Sequence, residues 1–315
     1  MEKVITNFGE LTGTDFRTYF SNGKVDGALM KEANTLKTAY GEFVPQYEAE
    51  DMGRRAVKPV YFYKNGNLKS LPLQEQSVVK TSVGDMPAEL ITFYKSGAIK
   101  RLFPLDGKLS GFWSWKNEFQ MAKAIDINTP LGHISAKVIS AFFYESGALK
   151  SLTFWPGEVI NLNTTFGETA VRIGVSFYED GRLRSFEPAK AIDVETPIGA
   201  LAAYDSKPLG VHGDINSLEI GEKGQLLSIS TVTDEIKVID KNNNRYIYKP
   251  LLKDALCGKE GSKETLPLKM KFDGDCVVFH HDPKHTFCLP DCQFEIHRNQ
   301  LDAKSAAEPA ESCSA

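Results

Sequence analysis

Apolar and polar residues alternate along most of this chain in short runs that end at a glycine. A two-residue period is the mark of a strand with one buried face. One run recurs as Phe-Tyr-x-x-Gly-x-aliphatic-basic. It occupies Phe62 to Lys69, Phe93 to Lys100, Phe143 to Lys150 and Phe177 to Arg184, with weaker copies at Tyr19 to Val25 and Ile220 to Leu226. The residue two after the glycine is aliphatic each time: Val25, Leu68, Ile99, Leu149, Leu183 and Leu226. A second run, aliphatic-x-Thr-x-apolar-Gly, precedes each copy. Its threonines are Thr6, Thr38, Thr81, Thr129, Thr164 and Thr196, spaced 32 to 48 residues apart. Six copies of two linked motifs define a repeat with a fixed skeleton and loops of variable length.

Turn chemistry converts the pattern into geometry. Lys-Asn-Gly, Lys-Ser-Gly, Glu-Ser-Gly and Glu-Asp-Gly suit a three-residue hairpin loop, a type I turn closed by a left-handed glycine. That loop sets Phe62 opposite Leu68 and Val60 opposite Ser70 on one face. Tyr63, Tyr94, Tyr144 and Tyr178 then share the other face with Lys69, Lys100, Lys150 and Arg184. Leu71, Leu102, Leu152 and Phe186 fall on this Tyr/Lys face too, so either that face is partly covered or each strand carries a second bulge. The Thr-x-apolar-Gly runs read as the opposite turns of a meander, with Pro130 and Pro197 ending incoming strands. Short helices are expected at Asn34 to Ala39 and Lys116 to Ala124.

The predicted fold is all-β: a long antiparallel β-meander of six irregular hairpin repeats, twisted or superhelical, with a C-terminal β cap. The repeat array spans 1–235, the cap or small β segment 236–300, and a disordered tail 301–315. Strands are expected at Lys237 to Asp240, Arg245 to Leu251, Leu266 to Phe272 and Cys276 to His281.

Composition narrows the function classes. The chain has 315 residues, 37 Lys+Arg against 41 Asp+Glu, and a formal charge of −4, which argues against a nucleic-acid partner. No apolar run is long enough for a membrane helix, and the opening residues lack a signal-peptide core, so the expected location is cytoplasmic. Phosphate-loop, dinucleotide-binding, zinc-protease and nucleophile-elbow motifs are absent.

The local run Phe93 to Leu102, continued by Phe103-Pro104-Leu105-Asp106-Gly107-Lys108-Leu109-Ser110-Gly111-Phe112-Trp113, resembles the hairpin repeats of MORN-type proteins and of the related bacterial antitoxin-component repeat family. Those read Tyr-Tyr-x-Asn-Gly-x-Leu-Lys followed by Gly-x-x-x-Gly-x-Trp. The resemblance extends over roughly residues 6 to 230 and is specific around Phe93 to Trp113. Elsewhere the Gly-x-x-x-Gly-x-Trp half is missing, and this chain repeats at a longer interval. The resemblance implies a non-enzymatic hairpin scaffold that binds proteins or lipid headgroups.

Two sets of residues carry candidate chemistry. Tyr63, Lys69, Tyr94, Lys100, Tyr144, Lys150, Tyr178 and Arg184 form a repeating Tyr/basic row suited to a protein partner, antitoxin-like in the sense of the resemblance, or to an anionic membrane surface; cross-strand packing is the structural alternative. His281, His285, Cys288 and Cys292 have ligand types and local spacings that zinc accepts, the one cofactor the sequence suggests. The five cysteines, Cys257, Cys276, Cys288, Cys292 and Cys313, are an odd number near one end, read as free thiols. Glu48, Glu50 and Asp51 beside Arg54 and Arg55 read as a solvated loop with local ion pairs. An open meander also leaves two edges, and a homodimer through one of them is a further expectation.

Overall fold

Each Thr-x-apolar-Gly run closes a two-residue turn in the same way. In the first, Thr6 pairs with Gly9, the Thr6 hydroxyl donates to the Gly9 carbonyl (2.7 Å), and the N–H of Phe8 donates to the same hydroxyl (3.1 Å). The bond pair recurs at Thr38, Thr81, Thr129, Thr164 and Thr196. Threonine is selected because its side chain replaces backbone bonds that so tight a turn leaves open. Glycine follows because the backbone there has positive φ, +119° at Gly84 for example, which a side chain disfavours.

These features come from a computed structural model that describes residues 3–50, 53–108, 110, 113–208, 213, 216–254 and 263–299. The expected tail, Cys257 and Cys313 lie outside the described residues. The chain divides into two units, one of 3–155 with Glu179–Gly181, the other of 156–178 with 182–299. The fold is an antiparallel β-meander of sixteen strands, eight in each unit, whose order does not close into a barrel.

In the first unit the strands lie in chain order: Thr14–Tyr19, Val25–Met30, Val60–Phe62, Leu68–Thr81, Gly84–Phe93, Ile99–Phe103, Val138–Phe143 and Leu149–Phe154. Threonine-turn ribbons accompany them at Val4–Thr6 with Gly9–Leu11, Leu36–Thr38 with Gly41–Phe43, and Ile125–Thr129 with Gly132–Ala136. The ribbons also bond to their successors, Lys37 N–H to the Phe8 carbonyl and Asn128 N–H to the Val83 carbonyl. Leu11, Leu36 and Ile127 of these ribbons are fully buried, as are Val79 and Met86 beside the Thr81 turn of the meander. The expected helix at Asn34 to Ala39 is instead one of these ribbons, since Thr38 carries the turn staple. The other forms at Trp115–Met121, where the Ser114 side chain caps the N–H of Asn117.

In the second unit Val159–Thr164, Gly167–Phe177, Leu183–Pro188, Leu218–Ile220, Leu226–Thr231, Leu268–Asp273, Cys276–Phe279 and Thr286–Cys288 form the meander, with a ribbon at Ile192–Thr196 and Gly199–Ala203. The expected cap contributes the last three of those strands. It also supplies most of a separate three-stranded sheet of Arg245–Tyr248, Asp234–Asp240 and Cys292–Arg298.

The hairpin register resolves the misfit in the alternation. Phe62 pairs with Leu68 across a three-residue loop, and Gly66 has φ +93°. Ser70, however, pairs with Tyr61 rather than with Val60, because Lys69 is looped out as a second bulge. The same slip falls at Lys100, Lys150 and Arg184. One extra residue returns the strand to phase, so Leu71, Leu102, Leu152 and Phe186 join the core with 0 % exposure. The core row of the first unit is therefore Val60, Leu71, Ile91, Leu102, Ala141 and Leu152.

Candidate functional site

The bulged lysines lie on the strand face opposite that core. In the first unit this face carries Tyr61, Ser70, Thr92, Arg101, Phe142 and Ser151 in one register row. Tyr61 is 41 % exposed, and Lys69 and Lys100 are exposed. Phe142 is the centre of the row. The Arg101 guanidinium lies 4.5 Å from its ring centroid and the Lys150 ammonium 4.4 Å. Lys150 is also 5.5 Å from the Tyr144 ring, and Lys100 is 5.7 Å from the Tyr94 ring. Such contacts contribute about 0.5–1 kcal/mol each at exposed sites and hold long side chains in place. Among the described residues no carboxylate pairs with Lys69, Lys100 or Lys150.

The tyrosines of the expected row have another role. The Tyr63 hydroxyl donates to the Phe93 carbonyl (2.9 Å), and the Tyr94 hydroxyl to the Phe143 carbonyl (2.8 Å). Each tyrosine thus ties its hairpin to the next, at the residue just before that hairpin's own tyrosine. Tyr178 does the same in the second unit, donating to the Ile220 carbonyl (2.9 Å). Burial, with the negative charge of Glu145, raises the Tyr94 phenol above its ordinary pKa, which keeps it a donor. Arg184 sits 5.8 Å from the Tyr178 ring and pairs with Glu219 (3.2 Å). The repeating basic residues of the two units therefore differ: Arg184 has a carboxylate partner and the three lysines do not.

The expected zinc set is not assembled. Cys288 forms a disulfide with Cys276, directly opposite it on the neighbouring strand, which also corrects the reading of free thiols. His285 accepts no part in a cluster: its Nδ1 lies 2.7 Å from Asp282, whose carboxylate also receives the Tyr248 hydroxyl. Burial and the adjacent His280 lower the pKa of His281. Cys292 is free, and burial together with Asp240 and Asp291 raises its thiol pKa, which disfavours the thiolate a metal needs. No group of three or more His, Cys, Asp or Glu suited to a metal occurs among the described residues.

Two buried charge clusters escaped the sequence reading. In the first unit Arg54 is 3 % exposed and contacts Glu50 (2.7 Å), Glu89 (2.7 Å) and Glu118 (2.8 Å). Arg55, 1 % exposed, also pairs with Glu50 (2.9 Å). The pair is thus the bolt of a buried network rather than a solvated loop; Asp51 lies outside the described residues. Glu118 receives Trp113 Nε1 (2.6 Å) and the Gly107 N–H (2.8 Å) as well. Burial raises its pKa, but Arg54, Trp113 and Gly107 outweigh that and hold it below the ordinary value. In the second unit Glu187 is 0 % exposed, and its nearest cation, Arg172, is 3.9 Å away. Burial dominates there, and the carboxyl is pushed up to about 7. For the first cluster the sequence showed Glu50 beside Arg54 and Arg55, together with a charge at Glu89 in phase with the buried Ile91 and Phe93, but not the burial; for Glu187 it carried no signal, since that residue alternates with the core residue Phe186.

Comparison of the chain with protein-family profiles, curated proteins and solved structures gives no match. Among the described residues no helix is long and apolar enough to cross a membrane.

Proposed function

We propose that this chain is a protein-binding scaffold whose first unit presents a fixed basic and aromatic strip to an acidic surface of its partner. The observation that carries this reading is the ring of Phe142 flanked by Arg101 and Lys150, on the same face as Lys69 and Lys100. Three lysines without carboxylate partners leave the strip positive, although the chain as a whole is acidic. The rings restrict the stems of Lys100, Lys150 and Arg101, so less side-chain freedom is lost on binding than at an ordinary basic patch. Complementary charge would serve partner choice and encounter rate more than final affinity. The expected site thereby narrows: the basic half of the Tyr/basic row makes the contacts, and the tyrosine hydroxyls hold the strip in place.

The test is capture from native lysate with wild type and with K69E/K100E/K150E. A stoichiometric protein retained by wild type and lost by the variant is the expected result. Equal capture by both contradicts the reading, and so does binding to anionic vesicles in place of a protein. The Cys276–Cys288 bond favours an oxidising compartment over the cytoplasm suggested by the opening residues.

A further inference from the structure

The apolar residue before the glycine of each threonine turn changes in size along the chain. In the first unit it is aromatic twice, Phe8 and Tyr40, and then aliphatic twice, Val83 and Leu131. The bond from the Lys37 N–H to the Phe8 carbonyl sets the two aromatic turns side by side. Val83 is small enough to pack down and is buried. Tyr40 instead reaches across to the next hairpins. Its hydroxyl accepts the Ile99 N–H (3.2 Å), and its ring lies 6.4 Å from that of Phe93, tilted by 39°. Beside this bridge the packing leaves a cleft of about 480 Å³.

The residues that line the cleft select a ligand. Phe8, Tyr40, Leu68 and Phe93 supply an apolar and mostly aromatic surface, and Ser96 and Glu145 lie with them. Glu145 is the one charged residue lining it among the described residues. The two Phe-Tyr hairpins before it carry Lys64 and Lys95 at the same loop position, so the sign of the charge reverses at Glu145. Its carboxylate is exposed, and no Lys or Arg among the described residues pairs with it. An anion would be repelled there, and a neutral apolar ligand would make no use of the carboxylate. A primary ammonium is strongly hydrated and costly to bring against rings. An alkylated ammonium holds little water, is attracted to aromatic faces, and pairs with a carboxylate. The Tyr40 hydroxyl, which accepts from Ile99, keeps its own proton for an acceptor elsewhere on the ligand.

We propose that this cleft is a binding site for a small organic cation of the quaternary ammonium class, with Phe8 and Tyr40 against its alkyl groups and Glu145 as the counter-charge. Leu68 and Phe93 belong to the core side of their strands, opposite the lysine strip. The site therefore shares no residue with that strip and does not depend on the function proposed above.

Nuclear magnetic resonance titration of the full chain tests the site with two probes of the same shape, acetylcholine and its uncharged counterpart 3,3-dimethylbutyl acetate. Acetylcholine should bind saturably in the millimolar range or below, and the uncharged ester about tenfold more weakly or not at all. Glu145→Gln should weaken acetylcholine binding by about tenfold, and Phe8→Ala by a similar factor. Glu179→Gln, at the same loop position of the next hairpin and outside the cleft, should bind as wild type does. Glu145 is an exposed loop residue, so its variant should keep the wild-type circular dichroism spectrum. No saturable response to millimolar acetylcholine overturns the proposal. Equal affinity for the uncharged ester, or binding indifferent to Glu145→Gln, overturns it equally.

Discussion

The two units bury acidic residues under opposite terms. In the first, Glu89 and Glu118 share the guanidinium of Arg54, which also reaches Glu50; Glu118 receives donors on both oxygens, and Glu89 also receives the Asp106 N–H. In the second, Glu187 accepts the N–H groups of Ser217 (2.8 Å) and Asp205 (3.3 Å), and Arg172 is too distant for a direct bond. Its neighbour Asp205 is a second carboxyl that burial shifts upward. Both carboxyls are buried, Glu187 the more deeply, and the pKa is lowered at Glu118 and raised at Glu187. The difference teaches that a paired cation and several donors can outweigh burial inside this fold, and that burial prevails where they are missing. The first arrangement is a clamp that joins Arg54 to residues 35 and 64 positions away. The second is a proton-binding group.

The largest effect should come from breaking the clamp. Arg54→Met leaves Glu89 and Glu118 buried without their cation and should lower stability by about 3–5 kcal/mol in chemical denaturation. Loss below about 1 kcal/mol would mean that the network is not assembled as described.

The next effect is a pH dependence with a definite sign. Glu187 has a folded value of about 7 against an ordinary 4.5. A group whose folded pKa is raised adds stability that is fully present below the unfolded value and lost as pH rises through the folded one. Unfolding free energy should therefore fall between about pH 5 and pH 8, by about 3 kcal/mol for this group alone. The charges that face it are Arg172 and Asp205, and burial shifts the Asp205 carboxyl upward as well. Glu187→Gln should flatten the wild-type slope there. An unchanged slope in the variant would assign the dependence to another group.

How much of this was legible in the chain varies by mechanism. The threonine turns and the three-residue hairpin loops follow from local chemistry, so Thr6 with Gly9 and Phe62 with Leu68 could be read directly. The bulge at Lys69 left only an indirect trace, the apolar Leu71 out of phase, because a lysine carries no mark of being looped out. The bonds from Tyr63 and Tyr94 to the following hairpin depend on the stagger of strands that are 30 and 49 residues apart, which no local pattern encodes. The Arg54 clamp and the Cys276–Cys288 bond depend likewise on strands meeting in register. The lysine strip was visible as a repeat; its separation from the tyrosine hydroxyls was not.

A smaller effect separates those two roles. Tyr63→Phe or Tyr94→Phe removes one hydrogen bond between hairpins and leaves the ring in place, so each should cost about 1 kcal/mol of stability. Partner capture should be unchanged in both. Lysine substitutions on the exposed face should do the reverse, with stability within about 0.5 kcal/mol of wild type.

The most direct measurement of the central claim is therefore a paired one, partner capture and denaturation midpoint, on K69E/K100E/K150E beside Y63F/Y94F. The account predicts lost capture with an unchanged midpoint for the lysine variant, and intact capture with a lowered midpoint for the tyrosine variant. Capture that survives charge reversal and fails with the tyrosine changes would contradict it.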